Sequence, residues 1–202
     1  MSRKKTPSPK IKLYFMMNKA AGTVCSTVSD RRRTVYESFS ENDLISPEGA
    51  KLHSVGRLDA DTEGLLLFTN DGKFSNFLTR PESGIPKTYY VELKNPVSDA
   101  EKLDYVHKAG LGLMLPEDKK AQPEMCAPAK IVWYAENACQ ITVTEGKFHE
   151  VKRIFKALGN EVAYLKRLAF GGLALDNGLK AGEFRKLTEN EVELLSCGGW
   201  HG

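Results

Sequence analysis

Short apolar runs of strand length alternate irregularly with helix-length amphipathic segments, and this pattern limits the fold more than any other feature of the chain. Residues 11–17 (IKLYFMM) and 64–69 (GLLLFT) are apolar runs bounded by turn residues, and residues 87–93 (KTYYVEL) alternate as a half-buried strand does. The segments PAKIVWY and CQITVTEG read as a hairpin joined through AENA. Helix signals fall between these strands. Asp71 is placed to cap a helix carrying Phe74, Phe77 and Leu78 on one stripe. Ser98 with Glu101, and Thr188 with Glu191, are spaced as capping boxes, the first helix stopping at Gly110. A short helix is expected through TVYESFS, and another over 147–158, ended by Gly159. Residues 161–176 return as strand, with the pair Gly171–Gly172 as a bend. Hairpin neighbours mixed with helices predict an α+β fold. Its sheet is mixed and mainly antiparallel with flanking helices, not doubly wound and parallel.

The 202 residues allow one domain, or two subdomains sharing a sheet. No apolar run approaches the roughly 18 residues of a membrane span, and the basic start MSRKKTPSPKIK has no apolar stretch behind it. Cys25, Cys126, Cys139 and Cys197 are far apart, without a CxxC or a histidine pair at ligand spacing. A disulfide framework or zinc site is therefore not expected, and a reducing cytoplasm fits. Five of the 29 basic residues lie within the first 12 positions, so the remainder is slightly acidic despite the net charge of +3. A nucleic-acid partner would be met by local patches and a flexible basic tail over residues 1–10.

One such patch is legible on the helix at 147–158. Phe148, Val151, Phe155 and Leu158 form its apolar stripe, and His149, Lys152, Arg153 and Lys156 fall on the other side. Lys147, Lys166 and Arg167 add positive charge, opposed within 146–160 only by Glu150. A phosphate-binding ridge and an ordinary solvated face both fit this pattern.

The second constellation is GRLDADTEGLLLFTNDG, in which Asp59 and Asp61 stand beside Arg57 and ahead of the apolar run. Aspartyl phosphotransferases place the apolar strand before the acids, so the fit to them is poor. A metal pair would want further carboxylates at an identifiable spacing. A turn-capping role suits Asp61 better than Asp59. A carboxylate beside a cation is favoured in its ionised form, and an ionised carboxylate is a competent nucleophile.

GRLDADTEGLLLFTNDG, then KTY at 87–89, then EGKFHEVKRIFKALGNEVAYLKRLAFGGLALD together resemble the RsuA-type family of ribosomal RNA pseudouridine synthases. NKAAGTVCST near the start and GEFRKLTENE near the end agree, and the similarity runs from about Lys12 to Leu195. The resemblance implies a pseudouridine synthase catalytic fold of two subdomains over residues 11–197. It also implies an enzyme that isomerises a uridine in structured RNA to its C-glycoside without a cofactor or metal. Asp59 falls on the family's essential aspartate, which acts on sugar or base. Tyr89 falls on its active-site tyrosine, Tyr90 pointing to the opposite face of the strand. Lys152 falls on the basic residue paired with the aspartate, with Arg153 as its rival. Arg57 would fill the space vacated by the flipped nucleotide or hold phosphate, and Leu168 would line the uracil pocket. Arg167 would contact phosphate, and Lys156 would join it where the basic helix face serves as a phosphate-binding ridge.

The sequence departs from the family at Ala20, where proline is usual, and at Glu150, where glutamine is commoner. The S4 RNA-binding domain that begins many relatives is not expected. The partner implied is ribosomal RNA or a subunit precursor, met by a cytoplasmic monomer. The small-subunit branch is nearer than the large-subunit one. The alternatives are a large-subunit synthase, or an assembly protein that binds RNA without essential catalysis.

Overall fold

The computed structural model describes residues 11–29, 31–45 and 49–197. The basic segment 1–10 lies outside them. The chain begins with β1 (Tyr14–Lys19), a 3-10 turn (Val35–Ser38), a one-turn α1 (Glu41–Leu44), β2 (His53–Val55) and β3 (Glu63–Thr69). It continues through α2 (Gly72–Thr79), β4 (Lys87–Leu93), α3 (Asp99–Leu111) and the two-residue strands β5 (Met114–Leu115) and β6 (Glu124–Met125). Then come β7 (Lys130–Trp133), β8 (Ala138–Val143), α4 (Glu150–Ala157), β9 (Val162–Phe170), β10 (Leu173–Ala174), β11 (Phe184–Lys186) and α5 (Glu189–Ser196). The architecture is α+β, as expected.

The caps act where the sequence places them. Asp71 accepts from the backbone N–H of Lys73 and Phe74, and Ser98 and Thr188 accept from those of Glu101 and Glu191. The stop of α3 differs from expectation. Gly110 is helical, and Gly112, at φ +81°, ends the helix. A Cβ at Gly112 would lie 2.5 Å from the Cys126 carbonyl oxygen, so backbone approach as well as conformation demands glycine there.

The sheet order is β11-β1-β3-β9-β4-β8-β7, with β2 on β3 and β10 on β9. Among the described residues, every pairing between these strands but one is antiparallel. The exception joins β3 to β9 through only two register pairs, Glu63 with Lys166 and Gly64 with Arg167. Two antiparallel halves therefore meet along a short parallel seam. At that seam Gly64 has φ +99°, and a Cβ on it would stand 2.2 Å from the Arg167 carbonyl oxygen.

Central position explains why the run at 65–68 does not alternate. Leu65, Leu66, Leu67 and Phe68 are all buried, because both faces of β3 are covered. Leu65 and Leu67 pack with Met16, Leu78 and Leu195 on one face, while Leu66 and Phe68 pack with Phe15, Met17 and Phe39 on the other. A third core lies under the other half, where Val151, Ile154 and Phe155 of α4 meet Val91 and Ile141 of the sheet. Among the described residues no helix is long and apolar enough to cross a membrane, and the four cysteines are free thiols.

Candidate active site

The loop between β2 and β3 carries Asp59. Its four residues Asp59–Thr62 close a turn through Thr62 N–H to the Asp59 carbonyl, 3.1 Å. The segment after β1 holds this turn from below. Gly22 N–H donates to the Ala60 carbonyl at 2.7 Å, and the ammonium of Lys19 donates to the carbonyls of Ala20, Ala60 and Thr62. Lys19 is fully buried, and burial pushes its pKa down. The Cys25 thiol lies within 3.5 Å of both the backbone N–H and the carbonyl of Leu58. The NKAAGTVC stretch is thus the cradle of the aspartate loop.

Asp59 reaches into a cavity of about 130 Å³ at the seam between the two halves of the sheet. Lys152 of α4 comes to it from the far side, with Nζ 3.0 Å from Oδ2 of Asp59 and 2.7 Å from Oδ1 of Asp61. Burial pushes the lysine's pKa down, but its bonds to Asp61 and Asp59 outweigh that and hold it raised. Asp61 is mostly exposed, and the Lys152 ammonium overcomes the effect of partial burial to keep its carboxyl below the usual range. On the other oxygen of Asp59, Nε2 of His149 stands 3.4 Å from Oδ1.

Tyr89 forms the facing wall together with Leu165 and Phe170 of β9. Tyr90 faces the other way. Its hydroxyl donates to Glu92 at 3.0 Å, and its ring meets Tyr164 edge-on. Two buried cations sit under the wall. Lys87 donates to the carbonyls of Thr144 and Glu145, and its pKa falls to about 8 through burial and then the charge of Arg167. Arg167 donates from Nε to the Leu65 carbonyl across the seam, its guanidinium lying 6.0 Å from the Tyr89 ring centre and 5.2 Å from that of Phe170.

The structure brings together Asp59, Tyr89, Lys152, Arg57 and Arg167 on this cavity. Arg57 is exposed at the rim. Arg167, expected to reach phosphate, is buried beneath the rings instead. Arg153 is corrected outright: it is 1% exposed and turned away from the cavity, donating to the carbonyls of Pro116 and Gln122 and to Glu124. The helix begins at Glu150 instead of Lys147. Its buried stripe is Val151, Ile154 and Phe155, while Phe148 is partly exposed. Glu150 does not oppose the basic face; it is buried, accepts from the N–H groups of Gly146 and Lys147, and burial raises its pKa. Leu168 is not on the wall. It falls at the register shift between the pairs Thr88–Ala169 and Tyr89–Arg167, and Leu165 supplies the apolar contact. Lys156 is exposed outside the cavity.

His149, Lys87 and Lys19 were not singled out as site residues by sequence. The strand alternation that selects Tyr89 also selects Lys87, two residues earlier on the same face, so that signal was available.

The family described as RNA pseudouridylate synthase matches residues 13–157. Ribosomal small subunit pseudouridine synthase A of Haemophilus influenzae is 41% identical over 182 residues, covering 90% of this chain and 73% of that protein. The protein of the same name from Escherichia coli strain K12 is 40% identical over 179 residues, covering 89% of this chain and 72% of its own. A crystal structure of a pseudouridylate synthase superposes with a TM-score of 0.80 at 40% identity, over 93% of this chain and 75% of that one. With an aspartate, a tyrosine and a lysine gathered on one cavity and this extent of likeness, the chain belongs to the RNA pseudouridylate synthase family.

Proposed function

We propose that this synthase isomerises a uridine of small-subunit ribosomal RNA to pseudouridine, with residues 11–197 as its catalytic domain and Asp59 as the group that acts on the nucleotide. The observation that carries the reading is the Asp59 carboxylate held on the cavity wall by Lys152 at 3.0 Å, across from Tyr89. The small-subunit substrate is supported by the names of the relatives at 40–41% identity.

The reaction breaks the bond from C1′ to N1 and forms one from C1′ to C5. N1 gains a proton and C5 loses one, so substrate and product have the same atoms and the same oxidation level. No co-substrate is required. The residues act by placing groups and charges. Lys152 holds one oxygen of the Asp59 carboxylate in place before the nucleotide arrives, so less reorganisation remains at the moment of reaction. The Tyr89 ring offers a flat surface to the base. The nucleotide must leave its stack, at a cost of a few kcal/mol. Arg57 at the rim, and Lys156 with Arg31 and Arg32 on exposed surface, supply phosphate contacts that offset this cost.

The test is tritium release from small-subunit ribosomal RNA carrying 5-tritiated uridine, presented free and with ribosomal proteins. Release from one uridine position in either form is expected. Release from large-subunit RNA alone would overturn the substrate assignment.

A further inference from the structure

Lys152 alone does not fix the Asp59 carboxylate. It binds only Oδ2 and divides its hydrogen bonds between Asp59 and Asp61. The other oxygen faces His149, whose ring is itself held from behind. Nδ1 of His149 lies 2.7 Å from Oδ2 of Asp118 and Nε2 is turned to Oδ1 of Asp59, so an N–H at either ring nitrogen has a carboxylate to donate to. His149 has a left-handed backbone, φ 51° and ψ 31°, just ahead of α4, and its ring stacks on Phe148 at 3.8 Å. A side chain other than glycine in that conformation is uncommon and gathers at functional sites.

Asp118 lies on the segment between β5 and β6, far from the cavity in sequence. Reciprocal backbone bonds between Asp118 and Ala121, of 3.0 and 2.6 Å, close its turn. The buried guanidinium of Arg153 ties the segment to α4 at Pro116, Gln122 and Glu124, with distances of 2.7 to 2.9 Å. A continuous chain of contacts therefore runs from Arg153 through the 116–124 segment to Asp118, His149 and Asp59.

We propose that His149, oriented by Asp118, is a positioning residue for Asp59, and that the 116–124 segment belongs to the catalytic apparatus through this contact. The inference rests on the reading of Asp59 as the group that acts on the nucleotide. Displacing a reacting group by about 1 Å can cost on the order of a hundredfold in rate, so a second restraint on the carboxylate has a measurable effect.

The experiment measures single-turnover rate and RNA affinity of the full chain for His149→Ala, Asp118→Ala, Asp118→Asn and the double alanine variant, with Asp59→Asn as reference. His149→Ala and Asp118→Ala should each slow the reaction by about tenfold to a hundredfold, with affinity for RNA changed by less than about twofold. The double variant should be no slower than His149→Ala, because Asp118 acts through the histidine. His149→Gln, which restores an N–H toward Asp59, should recover part of the rate. If Asp118→Ala fails to fold, Asp118→Asn decides: it keeps an acceptor for Nδ1–H but no charge, and an intermediate rate is expected. Asp118 variants at the full rate, or losses that multiply in the double variant, would overturn the proposal. An inactive Asp59→Asn beside a fully active Asp118→Ala removes this inference alone. An active Asp59→Asn removes the reading on which it rests.

Discussion

Lys152 and Asp59 are 93 residues apart in sequence and 3.0 Å apart in the folded chain. The pair spans the seam of the sheet, one partner on a loop braced by the β1 end and the other on a helix packed against the opposite half. With the ammonium removed, two neighbouring carboxylates lose their shared cation. Lys152→Met is expected to lower the single-turnover rate by about a hundredfold, and Lys152→Arg to recover part of it. Asp61→Asn, at a mostly exposed side chain, should stay within about threefold of wild type. Rapid-quench assays on saturating protein measure all three.

Arg153 and Lys156 are neighbours on α4 with opposite fates, and salt dependence separates them. Arg153→Met should destabilise the fold by about 3 kcal/mol in urea denaturation, since a buried guanidinium with several acceptors is lost. It should leave the slope of RNA affinity against salt unchanged. Lys156→Ala should do the reverse, with near-normal stability and a slope reduced by about one.

Gly64→Ala tests the seam. The new Cβ would meet the Arg167 carbonyl at 2.2 Å, in a backbone conformation that alanine avoids. A loss of about 3–5 kcal/mol in chemical denaturation is expected, where an exposed glycine would tolerate the change.

The seam and the helix also show how much could be read from sequence. Strands and caps were legible because they follow local rules: alternation in KTYYVEL, acceptor residues at Asp71, Ser98 and Thr188. The Asp59 loop was legible as a charged interruption before an apolar strand. Arg153 was not. On a helical wheel it sits beside Lys152, and what buries it is the 116–124 segment, a contact 29 to 37 residues away that periodicity along the helix does not register. Leu168 is assigned to the pocket by resemblance alone, and what keeps it off the wall is likewise not visible in its own strand. Alternation along β9 fails at the register shift, and the shift is set by the pairing with β4. A regular helix drawn from Lys147 puts His149 on the basic face. Its left-handed turn sends the ring to Asp59 instead.

Lys87 gives the fold a pH dependence of known sign. Its folded pKa of about 8 lies below the ordinary value of 10.5. Below pH 8 both folded and unfolded chains carry the proton, and the folded state bears the full cost of a buried ammonium. Between pH 8 and 10.5 the folded state loses its proton first, so stability rises with pH in that window. Relative to Lys87→Met, wild type should gain about 3 kcal/mol from pH 7 to 10.5. Urea denaturation of both proteins across that range measures the difference directly.

The central claim is that the Asp59 carboxylate acts on the nucleotide, and the measurement that tests it is the single-turnover rate of Asp59→Asn on 5-tritiated RNA. Asparagine keeps the size and an acceptor oxygen but removes the charge. The rate should fall by at least about a thousandfold with RNA affinity and thermal stability near wild type. Tritium release at the wild-type rate would contradict the account.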